Sequence, residues 1–160
     1  MKLLSIGNSF SDDAQRYLHG FAEAAGDDIQ CWNLYIGGCS LARHWDNFTS
    51  EAPAYTLMKN GETAENGVSI PELLRRGGWD AITLQQVSQD AGVPDTYEPD
   101  LGNLVRAVRR MCPGARLFFQ ETWEYAHDSG HEGFRVYHND CNEMYQQVRN
   151  AVREAADRYG

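Results

Sequence analysis

A serine stands where the sequence predicts that a strand ends and a helix begins. The short apolar run of residues 2–7 ends in a glycine, which is typical of a strand buried on both faces, and Ser9 follows it closely. A turn between a strand and a helix exposes a serine hydroxyl and leaves backbone N–H groups free beside it. Ser9 therefore has the position of a nucleophile, or the simpler role of a turn former or helix cap.

Groups that could stabilise a negatively charged oxygen follow the next two predicted strands. Gly37 and Gly38 let the backbone approach a ligand closely and present an N–H after the second strand. Three glutamines bring amide donors after the third strand: Gln85, Gln86 and Gln89. An oxyanion beside Ser9 could thus receive hydrogen bonds from three loops.

The elements that must position these residues alternate along the chain. Apolar runs predict four strands, at residues 2–7, 29–36, 80–86 and 116–122. Helical spacing of apolar residues predicts helices between and after them, at about 11–25, 40–48, 69–76, 97–111 and 131–159. The first helix could be capped by Ser11 or Asp12. Asn60-Gly61 favours a hairpin turn, within what we interpret as a surface excursion.

Strands that alternate with amphipathic helices predict an α/β fold with a parallel sheet covered on both faces. We expect a three-layer sandwich of flavodoxin-like topology with strand order 2-1-3-4, formed as one domain over residues 1–160. In such sheets ligands bind beyond the carboxyl ends of the strands. The loops after the four strands should therefore meet at one edge and form the site.

Composition excludes several classes of partner. The chain has 14 Lys and Arg against 23 Asp and Glu, a formal net charge of −9, so it offers no basic surface for nucleic acid. No apolar run approaches the roughly 20 residues that span a bilayer. With no signal-peptide core after Met1, we expect a cytoplasmic protein without a membrane partner, unless a signal was removed.

The four cysteines do not predict a metal or redox site. Their spacing matches neither a zinc knuckle nor a Cys-x-x-Cys pair, so we interpret them as buried thiols: Cys31, Cys39, Cys112 and Cys141. We expect no metal and no cofactor, and nothing in the sequence predicts an oligomeric state.

Four blocks occur in order along nearly the whole chain: Ile6-Gly7-Asn8-Ser9-Phe10-Ser11, residues 37–41, residues 79–88, and residues 121–125 with Ser129 and His131. Together they resemble the SGNH, or GDSL-type, superfamily of esterases and lipases, and within it a largely bacterial subgroup. The resemblance implies that Ser9 is the nucleophile and that the N–H groups of Ser9 and Gly38 are oxyanion donors.

The third oxyanion donor departs from the superfamily pattern. That pattern places an asparagine after the third strand in Gly-x-Asn-Asp, whereas this chain has Val87 and Gln89 at the glycine and asparagine positions. Gln86 is our first choice because it stands at the end of the strand, and Gln89 is the alternate. A glutamine is one methylene longer, so it must be rooted further back to place its amide equally well.

The largest difference between this chain and the superfamily pattern concerns the base that accepts the serine proton. It comes from an Asp-x-x-His block after a fifth strand, whereas this chain ends in the helix of residues 143–159 with neither after it. We expect that the chain is a C-terminally truncated piece of a longer protein. The alternative is a substitute base, His127 or His131, oriented by Asp128 or Glu132.

The sequence defines the substrate-binding residues less closely than the candidate catalytic residues. Trp123 and Tyr125 either form an apolar wall for an acyl or sugar group or pack in the core. We add Asn8, Gln89 and His131 as candidate substrate-binding residues. The sequence thus predicts a serine esterase for small or carbohydrate esters, and the alternative is a non-catalytic module that binds a glycan or an acylated ligand.

Overall fold

The structure is a computed structural model that describes all residues, Met1–Gly160, and it contains one six-stranded sheet. The strands are β1 (Lys2–Gly7), β2 (Gln30–Tyr35), β3 (Tyr55–Lys59), β4 (Glu62–Val68), β5 (Ala81–Leu84) and β6 (Arg116–Phe119). The helices are α1 (Ser9–Gln15), α2 (Leu18–Ala24), α3 (Leu41–Thr49), α4 (Ile70–Arg76), α5 (Asp100–Met111) and α6 (Cys141–Tyr159). Short 3₁₀ turns lie at Ser88–Asp90, Pro94–Thr96 and Glu132–Tyr137.

The sheet has the order β4-β3-β2-β1-β5-β6. Strands β2, β1, β5 and β6 are parallel to one another, so the predicted order 2-1-3-4 and the α/β class are confirmed. Because these four strands are parallel, their carboxyl ends lie at one edge of the sheet. The loops that carry Ser9, Gly38 and Gln85 all start from that edge.

The region predicted as a surface excursion is instead part of the sheet. Strands β3 and β4 form an antiparallel hairpin that extends the sheet beside β2. Tyr55 and Leu57 alternate with more exposed neighbours and point into the core, and this apolar alternation is what carries the hairpin into the sheet. The predicted turn is confirmed, with positive φ at Asn60 and Gly61.

The two faces of the sheet differ in chemistry. One face is apolar and carries fully buried side chains that pack under α3, α4, α5 and α6: Leu4, Ile6, Leu34, Ile82 and Leu84. On the other face, Ser5 pairs across the strands with Asn33 on one side and Thr83 on the other. Helix α1 packs on this polar row, so the helix that begins at Ser9 is held by hydrogen bonds as well as by apolar contacts.

Two predicted helices differ from the structure. The first is divided into α1 and α2, and its cap is Asn8 and not Ser11 or Asp12, because Asn8 Oδ1 accepts the Phe10 N–H at 3.1 Å. The last begins only at Cys141. His138 and Asn139 before it have φ of 52° and 56°, which interrupts the helical run, and Asp140 then caps the new helix.

Strand β6 forms one edge of the sheet, and Phe118 on its polar-row face is 41% exposed. All four cysteines are free; three are buried as predicted, whereas Cys141 is partly exposed. None of the helices has the length and apolar character needed to cross a bilayer.

Candidate active site

Ser9 is exposed at the carboxyl end of β1, directly after the cap residue of α1. The hydrogen bonds of this turn are made by its neighbours: the Asn8 amide caps the helix, and Ser11 Oγ lies 2.8 Å from the Asn8 carbonyl oxygen. Ser9 is the first residue of α1, so its N–H has no acceptor inside the helix. The turn therefore presents both the Ser9 hydroxyl and the Ser9 N–H.

Gly7 allows this turn to lie close to the sheet. A Cβ at this position would lie 2.7 Å from Gln85 Oε1 and would overlap the Ser11 side chain. Any larger residue would thus displace either helix α1 or the end of β5. The glycine in the predicted nucleophile block is required by close approach, since its φ is not positive.

Gly38 lies in the loop between β2 and α3 and presents a second free donor. Its φ of +61° suits glycine, and its N–H donates no hydrogen bond within the chain. Asn8 Nδ2 donates to the carbonyl of the next residue, Cys39, at 3.1 Å. This bond ties the loop of Gly38 to the turn of Ser9.

Asn8 is a buried connector and not a surface group. Its side chain, 1% exposed, bonds Phe10 N–H and the Cys39 carbonyl, and its Oδ1 also accepts from Gln85 Nε2 at 2.6 Å. All of its amide groups face protein partners. We therefore assign Asn8 to the positioning of the site, whereas the sequence had suggested substrate binding.

Gln86, the preferred third oxyanion donor, is directed elsewhere. Its Nε2 donates to the carbonyl and hydroxyl oxygens of Thr96, at 3.0 and 3.1 Å, which uses both of its N–H bonds. Its Oε1 accepts the N–H groups of Leu41 and Val87. Gln86 joins the loops after β2 and β5 and has no N–H left for an oxyanion, so we do not retain it as a donor.

Gln89 lies in the 3₁₀ turn after β5, packed against Gly133. Its carbonyl oxygen accepts the Tyr137 hydroxyl at 2.9 Å, whereas its side-chain amide makes no hydrogen bond within the chain. This amide is free to donate. Gln89, the alternate in the sequence analysis, therefore stays a candidate for the third donor.

A buried cluster supports the loop of Gly38 from below. His44 Nδ1 lies 2.9 Å from the Tyr55 hydroxyl and 3.5 Å from Cys39 Sγ. Burial lowers the pKa of His44 to about 3, and burial raises the pKa of the Cys39 thiol to about 11. A neutral imidazole and a protonated thiol make this cluster a support for the loop and not a second nucleophile.

Trp123 comes from the loop after β6 and reaches the Ser9 turn. Its ring packs against that of Phe10, the residue after Ser9, and it is still 45% exposed. An exposed aromatic ring beside the candidate nucleophile can contact a bound ligand. That Trp123 lines a substrate site stays a prediction.

Tyr125 packs in a small second core, which was the alternative to a role in lining the substrate site. It packs edge-on against Phe134, and its hydroxyl lies 2.7 Å from Ser88 Oγ. Buried residues of α6, of the 3₁₀ turn before it and of the segment after β5 complete this core: Ala91, Phe134, Tyr137, Met144 and Val148. The core joins the loops after β5 and β6 and so fixes the segment that carries Trp123.

His131 packs against Tyr125, with ring centroids 4.7 Å apart and the ring planes tilted by 37°, and it caps the following 3₁₀ turn. Its Nδ1 accepts the Gly133 N–H at 3.0 Å, so the neutral ring carries its proton on Nε2 and has no lone pair left for a proton from serine. Asp128, proposed from sequence to orient this ring, precedes it with the Asp-x-x-His spacing. The structure shows no hydrogen bond between these two side chains.

The remaining histidines have other partners or are exposed. His19, His44 and His138 have hydrogen-bond partners in Ile29, Tyr55 and Glu143, and His127 is exposed. No histidine of the chain is hydrogen bonded to Ser9. No three His, Cys, Asp or Glu side chains come together in a way that could hold a metal ion.

The sequence analysis missed the polar row beneath α1. Thr83 Oγ1 donates to Ser5 Oγ at 2.7 Å, and Gln15 Nε2 also donates to Ser5 Oγ. Ser11 Oγ lies 2.9 Å from the Asn33 amide. The signal was available: Ser5, Asn33 and Thr83 are polar residues inside predicted strands, and buried polar groups require partners.

Comparisons with known proteins agree with this fold. A crystal structure of a DUF4886 family protein from Bacteroides uniformis has 38% sequence identity and a TM-score of 0.95; the match covers 100% of this chain and 64% of that one. A protein from Slackia heliotrinireducens that is assigned to the SGNH hydrolases has 21% identity and a TM-score of 0.64, covering 100% and 76%. An acetyl xylan esterase has 11% identity and a TM-score of 0.62, covering 99% and 74%.

No curated protein matches the sequence of the chain. The likeness to the esterases is below 25% identity, so it shows the fold alone, which is that of the SGNH hydrolases. The family model described as "Domain of unknown function (DUF4886)" matches residues 2–159. The chain therefore belongs to the DUF4886 family.

Proposed function

We propose that Ser9 is the nucleophile of an ester hydrolase that works by acyl transfer. One observation carries the proposal: an exposed serine and two free N–H groups, of Ser9 and Gly38, stand on neighbouring loops that are joined through Asn8. Such donors stabilise negative charge that develops on a carbonyl oxygen. The SGNH fold of the chain supports this reading.

The reaction follows from these groups. Ser9 Oγ forms a bond to the ester carbonyl carbon while its proton passes to a base, and the carbonyl oxygen becomes an oxyanion held by the N–H groups of Ser9 and Gly38. The C–O bond to the alcohol then breaks, and the alcohol leaves with a proton. Water attacks the acyl-enzyme in the same way, releasing the carboxylic acid and restoring the Ser9 hydroxyl. Gln89, whose amide is free, is our candidate for a third donor.

We propose a small or carbohydrate ester as the substrate. The exposed ring of Trp123 beside Ser9 suits an acyl group or a sugar ring. A structural neighbour with the same fold is named as an acetyl xylan esterase, which is consistent with a carbohydrate ester. The size of the acyl group is not part of the proposal.

A second candidate is a binding module that uses the same site without catalysis. The observation that favours it is the lack of a histidine bonded to Ser9, because a serine without a base is a weak nucleophile. In this case the free N–H groups and Trp123 would bind a glycan or an acylated ligand. Covalent labelling separates the two candidates.

A fluorophosphonate probe tests the proposal. We expect it to phosphonylate Ser9, with release of fluoride, in the wild-type chain, and mass spectrometry should locate the adduct on the peptide that contains Ser9. Ser9→Ala should lose the label, while Ser50→Ala, a change at an exposed serine of the α3 end, should keep it. Equal labelling of the wild type and Ser9→Ala, with and without added imidazole, would contradict the nucleophile assignment and favour the binding module.

A further inference from the structure

We infer that Gln85 is a positioning residue that fixes both oxyanion donors at once by holding the Asn8 side chain. The inference rests on the proposed function, since it concerns the donors assigned there. Gln85 stands directly after β5, is 4% exposed, and donates from Nε2 to Asn8 Oδ1 at 2.6 Å. Its only side-chain hydrogen bond is to Asn8, and none reaches the Ser9 hydroxyl or the Gly38 N–H, so we assign its effect to Asn8.

The direction of this hydrogen bond is imposed by the backbone. Asn8 Oδ1 must accept, because the Phe10 N–H points at it at 3.1 Å, and Asn8 Nδ2 must donate, because it faces the Cys39 carbonyl oxygen at 3.1 Å. A backbone N–H and a backbone carbonyl cannot exchange roles. Gln85 can therefore meet Asn8 only with a donor.

Asn8 in turn joins the two loops that carry the donors. Through Phe10 N–H it holds the first turn of α1, where Ser9 presents its N–H, and through the Cys39 carbonyl it holds the loop of Gly38. These two loops come from different strands. A shift of the Asn8 amide would thus change the separation between the N–H groups of Ser9 and Gly38.

The free-energy cost of burying the Gln85 amide also indicates that its position is important for holding Asn8. Its Oε1 is buried and has no hydrogen-bond partner, and an unpaired buried acceptor costs on the order of 1–3 kcal/mol. A Cβ on Gly7 would lie only 2.7 Å from this oxygen. The Gln85 side chain is therefore held in a buried position, with Gly7 close to its oxygen and Asn8 bonded to its nitrogen.

Amide spectra test the connection without any ligand. Gln85→Met keeps the length of the side chain and removes its donor, and we expect it to shift the ¹H–¹⁵N signals of both Ser9 and Gly38. The matched control is Thr83→Val, which removes a partly buried hydrogen bond from the same face of β5 without reaching Asn8. Signal changes in Gln85→Met confined to β5 and its neighbours would overturn the inference.

Phenylboronic acid tests the effect on the oxyanion site. The boron takes a bond from Ser9 Oγ, the serine proton is released, and the resulting tetrahedral boronate carries a negative charge where the oxyanion would lie. We expect Gln85→Met to weaken binding about tenfold and Thr83→Val to weaken it little. If Ser9→Ala binds as well as the wild type, the proposed function fails; if Ser9→Ala loses binding while Gln85→Met keeps it, only the present inference fails.

Gln85→Glu gives a signature that general destabilisation would not produce. A protonated carboxyl can donate to Asn8 Oδ1, whereas a carboxylate cannot, and burial raises the pKa of a carboxyl. The affinity of Gln85→Glu relative to the wild type should therefore recover as the pH falls from about 8 to about 5, and the Gly38 amide signal should return toward its wild-type position. This variant also provides the test if Gln85→Met does not fold. A ratio of Gln85→Glu affinity to wild-type affinity that does not change with pH would contradict the role assigned to the Gln85 donor.

Discussion

The ring of Phe10, next to Ser9, packs on the ring of Trp123, with centroids 4.3 Å apart. This contact brings the loop after β6 to the turn after β1, across β5, and it creates an aromatic surface beside the proposed nucleophile. The ring of Trp123 is partly exposed, so it can contact a ligand and its partner ring at the same time.

Trp123→Ala should therefore reduce affinity for ligands that carry a ring. We expect phenylboronic acid to bind about two- to tenfold more weakly, because one aromatic contact contributes roughly 0.5–1.5 kcal/mol. Methylboronic acid, which has no ring, is the matched control and should lose little affinity. Equal losses for the two acids would mean that the substitution disturbs the Ser9 turn itself.

Two glycines of the site should respond differently to alanine. Gly7→Ala places a Cβ against Ser11 and Gln85, and we expect a loss of about 1–3 kcal/mol in the free energy of unfolding. Gly38→Ala meets no atom within 4 Å, so its cost should be limited to about 1–2 kcal/mol from its φ of +61°. Urea unfolding measures both. A Gly7→Ala chain as stable as the wild type would show that α1 can move away from the sheet.

The position of Ser9 and Gly38 could be predicted from sequence because it depends on local signals. Apolar runs that end in glycine mark the ends of β1 and β2, and the parallel order brings those ends to one edge. The role of Gln86 could not be predicted in the same way. Two adjacent glutamines at a strand end point to different sides, and only the packing of the Leu41 and Thr96 segments decides which amide is used.

The β3–β4 hairpin and the start of helix α6 show a second limit of prediction from the sequence. The turn at Asn60-Gly61 could be predicted from the sequence. Whether the hairpin joins the sheet depends on the free edge of β2, which is a property of the tertiary structure. Likewise, His138 and Asn139 adopt positive φ values inside a stretch with helical spacing. The packing of Phe134 and Tyr137 in the second core accompanies that break, and the apolar spacing alone does not reveal it.

The buried His44 should make folding sensitive to acid. Burial lowers its pKa to about 3 in the folded chain, compared with about 6.5 when unfolded. Between these values the unfolded chain binds more protons, so the contribution of a neutral His44 is complete above pH 6.5 and is lost as the pH falls toward 3. We expect a slope of up to about 1.4 kcal/mol per pH unit in this range.

His44→Gln is the control for that slope, since it has no group that titrates in this range. Urea unfolding of both chains at several pH values gives the difference in the free energy of unfolding, which cancels the effect of the carboxylates that they share. The wild type should lose stability relative to His44→Gln as the pH falls below 6.5. A difference that stays constant from pH 7 to pH 4 would mean that His44 takes up a proton in the folded chain.

The lack of a histidine bonded to Ser9 predicts slow chemistry for the 160-residue chain and a way to accelerate it. Loss of a base from a serine nucleophile typically costs about four powers of ten in rate. Added imidazole can accept the serine proton from solution, because Ser9 is exposed. We therefore expect the rate of Ser9 phosphonylation to be low in buffer and to rise with imidazole concentration, following the unprotonated fraction of imidazole as the pH is varied.

N-ethylmorpholine, a bulkier base of similar strength, is the control for general buffer effects. Rapid labelling without imidazole that disappears in His131→Ala would instead identify His131 as the base, and it would require the Gly133 N–H to release His131 Nδ1.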